Sequence, residues 1–332
     1  MTHAAGIGPL PALLVAASGS SALRRVLQTT RLPLEISSRS DMRLPLASLV
    51  EIFEHAAAEA GERCFGLRVG QQMDPQSFGP WVRYCLSAPT LDAAIQRFAR
   101  SVGIYQTGAE SYLRAAGERA VWSYRRPYRR SGGMQHADHV IPPMIKFIQA
   151  YLGDSWSPEL VHVCYPRDTS AQRFEQALGA TVMFDAPGIA VVIDKAALRT
   201  ERRHRVGLDE QLTMADVFAE STTDSRTTVG AVRDILRLRA LRGEFDLEGT
   251  ARFAGIGRRS LQRQLQSCGL SYRKLVDEIS MQRAVGLLTD TDHPIAEIAF
   301  SLGYNEPGNF TRAFRRVTGH SPQQYRHAAA SN

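Results

Sequence analysis

The chain of 332 residues is longer than one hydrophobic core usually organises, so two or three domains are expected. With 44% hydrophobic and 22% charged residues, 26 Gly and 16 Pro, it is neither collagen-like nor low-complexity nor wholly disordered. The net charge of +7 is unevenly placed: residues 226–332 hold 16 Lys and Arg against 10 Asp and Glu, residues 1–225 hold 24 against 23, and a basic last third is the footprint of a polyanion-binding module.

Near the start, the longest apolar run, Leu10 to Ala17, is interrupted by Pro11 and falls short of the ~20 residues that span a bilayer. No Lys or Arg precedes it, Arg24 being the first basic residue, so no membrane span or secretory signal is expected and the cytoplasm is the expected location. Cys64, Cys85, Cys164 and Cys268 form no CxxC pair, which predicts reduced thiols and no zinc ribbon.

From Arg31 to Leu198 the chain mixes both periods. LASLVEIFEHAAAEAG predicts a helix with Leu46, Leu49, Val50 and Phe53 on one face and Gly61 as its stop. Thr90 is placed to cap a second helix over LDAAIQRFARSV, with Leu91, Ala94 and Phe98 inward. AVWSYRR and ELVHVCYP alternate like strands, and ATVMFDAPGIAVVID reads as two short strands around Ala186-Pro187-Gly188. Thr200 to Arg205 is a charged surface segment, and Ala219 to Thr228 lacks periodicity and predicts a linker.

Beyond the linker the pattern is helical. Val229, Val232, Leu236 and Leu241 form a stripe, and Asp246 caps a short helix that buries Leu247, Ala251 and Ala254. After the turn at Gly255-Ile256-Gly257, the next helix buries Leu261 and Leu265 and turns Arg259, Gln262, Arg263 and Gln266 outward, with Arg258 at its start, until Gly269 stops it. This is the helix-turn-helix pattern, whose second helix enters the major groove. It recurs 49 positions later: Ile295, Ile298, Ala299 and Leu302, a turn at Gly303-Tyr304-Asn305, then Phe310, Ala313, Phe314 and Val317 lining a helix stopped by Gly319. Between the two, Tyr272 to Leu288 predicts a rigid spacer helix of roughly 25 Å, and Asp292-His293-Pro294 supplies a cap and a first-turn Pro for the second unit. The expected fold class is mixed, an N-terminal α/β domain and a C-terminal all-α domain with two helix-turn-helix units joined by a long helix. Boundaries fall at 1–218, 219–228 and 229–332, with the two units at about 246–268 and 294–318.

Gly303-Tyr304-Asn305-Glu306-Pro307, Phe310-Thr311-Arg312-Ala313-Phe314, Gly319, Ser321-Pro322 and Tyr325, with Ile295-Ala296-Glu297-Ile298-Ala299 before them, resemble the C-terminal signature of AraC-type transcription regulators. The resemblance covers roughly residues 229–327. It implies two recognition helices in adjacent major grooves of double-stranded promoter DNA, read by Arg259, Gln262 and Arg263 in the first and by Gly308, Thr311 and Arg312 in the second, with Asn305 near the helix start. Arg258, Gln266 and Arg315 join them as candidate DNA contacts, since Arg pairs with guanine and phosphate and Gln with adenine; Arg315 and Arg316 divide between phosphate contact and solvation. Gly257 stands where the family often has a Ser cap, and Pro307-Gly308 leaves the second helix tip without long side chains, which implies weaker base reading there.

Phe65-Gly66-Leu67-Arg68-Val69-Gly70, Phe78-Gly79, Ser87-Ala88-Pro89-Thr90-Leu91 and Phe184 resemble, over about residues 10–200, the effector-binding domain of the AraC subgroup that includes ornithine-utilisation regulators. That likeness implies a small-molecule effector, such as an amino acid, amine or organic acid, homodimerisation through the N-terminal domain, an activator's role and RNA polymerase as a partner. Trp81, Tyr84, Tyr105 and Arg125 are the candidate effector contacts, against the alternative that such aromatics are core.

Tyr124 to Arg130 combines cation and aromatic and reads most simply as a solvated loop. His136 and His139 have a spacing usable for metal but no third ligand in sight, and His162-Val163-Cys164 is a weaker pattern still, so no metal and no cofactor is expected. There is no GxSxG elbow and no GK[ST] phosphate loop, and Gly255 to Ser260 lacks the third glycine of a dinucleotide fingerprint. An enzyme is not expected. An effector-independent DNA-binding or architectural protein is the competing reading, with an enzyme carrying a DNA-binding appendage behind it.

Overall fold

In the computed structural model, which describes residues 1–39, 41–125, 133–202, 212–219 and 226–330, the chain divides into two units, Met1–Thr222 and Thr223–Asn332. Unit 1 begins with β1 (Thr2–His3), and the early apolar run becomes the first turns of α1 (Leu10–Thr29), bent at Gly19. Then come β2 (Arg43–Leu44), antiparallel to β1, and α2 (Leu46–Ala60), which buries Leu46, Leu49, Ile52 and Phe53 and ends on a left-handed Gly61. Next are α3 (Phe65–Gln72), α4 (Pro80–Leu86) and α5 (Leu91–Tyr105), where the Thr90 hydroxyl accepts the Ala93 N–H as the spacing predicts.

The hairpin β3 (Glu110–Ala116) and β4 (Arg119–Arg125), helix α6 (Met134–Leu152), β5 (Leu160–His162), α7 (Ala171–Leu178), β6 (Thr181–Met183), β7 (Ile189–Asp194) and α8 (Met214–Ala219) complete the unit. Five strands form one sheet in the order β3-β4-β7-β5-β6, antiparallel except for the β5–β6 pair. The two strands around Ala186-Pro187-Gly188 are therefore not neighbours; β5 lies between them, and its parallel pairing with β6 needs the α7 crossover. The core centres on Trp122, Phe147, Tyr151 and Phe174.

Two glycines let α3 and α6 touch backbone to backbone. A Cβ on Gly66 would collide with the Gln135 carbonyl, and one on Gly70 with that of His139. Pro143 within α6 has no N–H to offer the His139 carbonyl four residues earlier, and that is the carbonyl against which Gly70 packs. The contact is held by Gln135, whose Oε1 accepts the Gly66 N–H at 2.8 Å and whose Nε2 donates to the Arg63 carbonyl at 2.7 Å. Beside it, the fully buried Asp138 carboxylate pairs with Arg63 at 2.8 Å and accepts the Tyr165 hydroxyl, while Arg63 also pairs with Asp168 at 2.7 Å. Burial raises Asp138 to about 6 against the pull of these partners.

Unit 2 is helical throughout its described residues. It comprises α9 (Thr228–Ala240), α10 (Leu247–Phe253), α11 (Arg258–Ser267), α12 (Tyr272–Asp290), α13 (Ile295–Ser301), α14 (Pro307–Thr318) and α15 (Pro322–Ala330). Thr227, Asp246 and Ser271 cap α9, α10 and α12 through their side chains. Three expectations need correction. The last two positions of the predicted linker, Thr227 and Thr228, are the cap and first residue of α9, while 220–225, with 203–205 of the charged run and 126–130 of the cation-aromatic segment, lie outside the described residues. The N-cap of α13 is Pro294 itself, with no side-chain cap from Asp292. Val317 is 57% exposed, because it sits in the last turn of α14, past the cluster that buries Phe310 and Phe314.

There are two cores. Val232, Leu236, Ala251, Leu261 and Leu265 close the first with Leu275 and Ile279 from α12; Ile298, Ala299, Leu302, Phe310 and Phe314 close the second with Met281, Ala284 and Leu288 from the same helix. At about 100° per residue the two α12 stripes lie on roughly opposite sides of the helix.

Gly66→Ala and Gly70→Ala are each expected to cost about 2 kcal/mol in urea unfolding, since backbone on both sides cannot give way, whereas Gly103→Ala on α5, with open space around it, should be neutral or stabilising. The folded pKa of Asp138 lies above its unfolded value, so its contribution is fully present below about pH 3.8 and is lost as pH rises through 6. Lowering the pH from 7 to 5 should therefore raise the unfolding midpoint of unit 1 through this group, and Asp138→Asn should flatten that slope.

Candidate nucleic-acid interface and internal cavity

Burying Leu261 and Leu265 fixes which face of α11 meets solvent: Arg258, Arg259, Gln262, Arg263 and Gln266 are all exposed there. Arg259, Gln262, Arg263 and Gln266 stand at i, i+3, i+4 and i+7 and share one face. Glu248 lies 4.0 Å from Arg258 and from Arg252, while Arg259 and Arg263 make no ion pair among the described residues. No side chain caps the helix at Gly257, so its first N–H groups take no side-chain acceptor.

In α14, Phe310 and Phe314 play the part of the two leucines, and Gly308, Thr311, Arg312 and Arg315 fall on the solvent side at the same four offsets. These positions are each 49 residues beyond Arg259, Gln262, Arg263 and Gln266, so the two faces are in register residue for residue. Their chemistry differs. Gly308 faces open space, Thr311 donates its hydroxyl back to the Pro307 carbonyl at 3.0 Å, and Arg312 donates to Asn309 Oδ1 at 2.5 Å. Asn305 is exposed in the turn before the helix. Asn309 was not among the candidate residues; its i, i+3 spacing from Arg312 is the signal that would have found it.

A second residue missed from sequence is Arg239, only 4% exposed near the end of α9. Its guanidinium pairs with Asp246 at 2.5 Å and Glu244 at 3.2 Å and donates to the Asp246 carbonyl and the Thr250 hydroxyl. The Arg239 hydrogen bond to its carboxylate and the Gly249 N–H hold the Asp246 carboxyl below its usual range. The Tyr272 hydroxyl joins the same knot, donating toward the carbonyls of Phe245 and Asp246 and lying 2.7 Å from Thr250 Oγ1. The network ties α9, the start of α10 and the start of α12 around the first helix-turn-helix unit.

Inside unit 1, side chains of α4, α5, β4 and α6 line a cavity of about 80 Å³. Trp81 and Tyr105 line it, their rings stacked at 4.5 Å. Tyr84 and Arg125 do not: Tyr84 lies under the Arg97 guanidinium at 4.8 Å, and Arg125 ends β4. His136 and His139 line the cavity too, packed on Phe53 and on each other, and no cluster of three metal-ligating side chains exists among the described residues. No helix there is long and apolar enough to cross a membrane.

Residues 21–201 match the arabinose-binding N-terminal domain of AraC transcription regulators, and residues 250–328 match a helix-turn-helix domain. The ornithine utilization regulator of Pseudomonas aeruginosa is 28% identical over 303 residues, 89% of this chain and 87% of that protein. The HTH-type transcriptional regulator VirS of Mycobacterium tuberculosis is 24% identical over 307 residues, 89% of this chain and 88% of that one. Among solved structures, the transcriptional regulator CdpR from Pseudomonas aeruginosa aligns over 92% of this chain and 97% of its own, with 20% identity and a TM-score of 0.41. These relatives are transcription regulators, not enzymes.

Arg239→Ala should cost about 3 kcal/mol in urea unfolding followed by helical circular dichroism, because it strips a buried hydrogen-bonded cation from three elements. Arg259→Ala and Arg263→Ala should stay within about 0.5 kcal/mol of the parent, since both side chains are exposed and unpaired.

Proposed function

The chain belongs to the AraC-type transcription regulators with an arabinose-binding N-terminal domain, and we propose that it is an activator whose hold on promoter DNA is set by a small molecule. On this reading unit 1 binds the effector and pairs two copies of the chain, and unit 2 reads sequence and presents the promoter to RNA polymerase. The observation that carries it is the register of the two solvent faces: four matched positions on α11 and four on α14, each backed by its own core and both cores sharing α12. Its 19 residues measure about 28 Å, against the ~34 Å between successive major-groove openings on one side of B-DNA.

In the first groove Arg259, Gln262 and Arg263 read base edges, Arg by bidentate bonding to guanine and Gln by pairing with adenine, while Arg258 and Gln266 flank them. In the second, Arg312 reads and Thr311 makes at most an apolar contact, Gly308 allows close approach of the backbone, and Arg315 and Asn305 hold phosphate. Effector control enters as a coupling free energy between the N-terminal unit and DNA affinity.

Footprinting a promoter fragment should protect two consecutive major grooves per chain, with affinity falling steeply with salt as phosphate counterions are released. Arg263→Ala should cost about 1 to 3 kcal/mol at a single base position. Arg312→Ala should cost less, because Asn309 already occupies part of its donor set. Protection of a single groove, or an affinity loss spread evenly over all sequences, would contradict the reader assignment.

A further inference from the structure

The cavity in unit 1 has a wall unsuited to the charged metabolites that the family likeness first suggests. No Asp, Glu, Lys or Arg side chain lines it. An amino acid or amine carried inside would leave its ammonium out of water with no carboxylate to pair with, which is costly. A sugar would need partners for most of its hydroxyls, and several of the wall's polar side chains are already engaged with one another. Gln106 donates Nε2 to the Tyr124 hydroxyl and accepts from Thr2 at 3.2 Å, and His139 Nδ1 lies 2.7 Å from the His136 carbonyl.

What the wall offers is ring surface. Trp81, Phe98, Trp122 and Phe147 pack in a chain of aromatic contacts, at 4.7 Å for Trp81–Phe98, 5.1 Å for Phe98–Trp122 and 5.2 Å for Trp122–Phe147. Among the wall's donors, the Tyr105 hydroxyl is buried with no hydrogen-bond partner among the described residues. Burial keeps that phenol protonated, so it remains a donor. An unmatched buried donor is costly, and a ligand's acceptor atom would recover that cost. The volume of about 80 Å³ is roughly half that of an apolar cavity known to hold benzene, so admitting a ring requires the wall to give, and the unbranched Met144 is the side chain best suited to shift.

We propose that this cavity binds a small uncharged monocyclic aromatic compound carrying one hydrogen-bond acceptor, which the Tyr105 hydroxyl engages. The proposal rests on reading the N-terminal unit as the ligand-binding part of the regulator, and it narrows the effector to a chemical class different from amino acids and amines.

The chain has three tryptophans, Trp81, Trp122 and Trp156, of which the first two line the cavity, so intrinsic fluorescence of the full chain reports on it directly. Titration with benzyl alcohol should give a saturable change, and toluene, lacking the acceptor, should bind about ten-fold more weakly. Tyr105→Phe should bring benzyl alcohol down to the affinity of toluene and leave toluene unchanged. Val102→Phe, which fills the cavity from α5, should abolish both responses while the helical circular dichroism is retained. Absence of saturation by benzyl alcohol, or an unchanged affinity in Tyr105→Phe, overturns the proposal. Saturation by ornithine, arabinose or benzoate instead overturns the chemical class but leaves a ligand-binding N-terminal unit standing. A saturable fluorescence response with no change in promoter affinity supports the cavity assignment and rejects effector control.

Discussion

One helix belonging to two cores constrains everything unit 2 can do. Leu275 and Ile279 close the first helix-turn-helix unit, and Met281, Ala284 and Leu288 close the second from nearly the opposite side of α12. Neither core can be completed without that helix, so the rotation and separation of α11 and α14 follow from the register of α12 and not from a flexible joint. A helix has one torsional setting per residue, and a shift of one position between the stripes would turn one core by about 100° relative to the other. A second tie lies at the backbone: a Cβ on Gly243 would come within 2.8 Å of the Ser301 carbonyl, and one on Gly303 within 3.2 Å of the Gly243 carbonyl, both residues having positive φ. The loop after α9 and the turn after α13 thus meet through two residues without side chains, which lets the two helix-turn-helix units press together directly.

The repeat was legible because burial writes the same spacing twice. Leu261 and Leu265, then Phe310 and Phe314, leave the opposite face free to vary, and an offset of 49 carried over intact into the geometry. The spacer was legible as a helix, but not as a two-sided one, since a stripe that changes face midway shows no sustained period. Val317 departs from the expected inner face because periodicity says which face a residue takes and not how far the partner elements extend. Arg239 was invisible for a related reason: arginine in a basic domain is read as surface, and its burial depends on Asp246, Glu244 and Thr250 converging on it from the following loop and helix.

Unit 1 was less legible. The helices α2 and α5 announced themselves by cap and stripe, but α3, α6 and β3 did not, and the sheet order required knowing that β5 inserts between β6 and β7. The Phe65 to Gly70 segment was recognisable as a likeness, yet its physical content is steric: Gly66 and Gly70 are what allow α3 to lie against the carbonyls of α6. Trp81 and Tyr105 were singled out from sequence as either core or pocket, and they are both, since the wall of a cavity is a core with one contact missing. Tyr84 and Arg125 were chosen by chemistry alone, and the side-chain directions of α4 and β4 take them elsewhere.

The matched faces of α11 and α14 also explain why a duplicated scaffold need not give duplicated recognition. Position for position, Arg259 corresponds to Gly308, Gln262 to Thr311 and Gln266 to Arg315, with only Arg263 and Arg312 alike. Within α14 the available donors are already partly committed, Thr311 to its own helix and Arg312 to Asn309. On the proposed reading the first face therefore supplies most of the discrimination between bases, where two free guanidiniums and two amides reach outward. The second supplies attachment, through Arg315 and the close approach that Gly308 permits. Because α12 holds both faces on one rigid body, weak reading by α14 still contributes in full: its contacts are made at no further cost in rotational freedom once α11 has engaged.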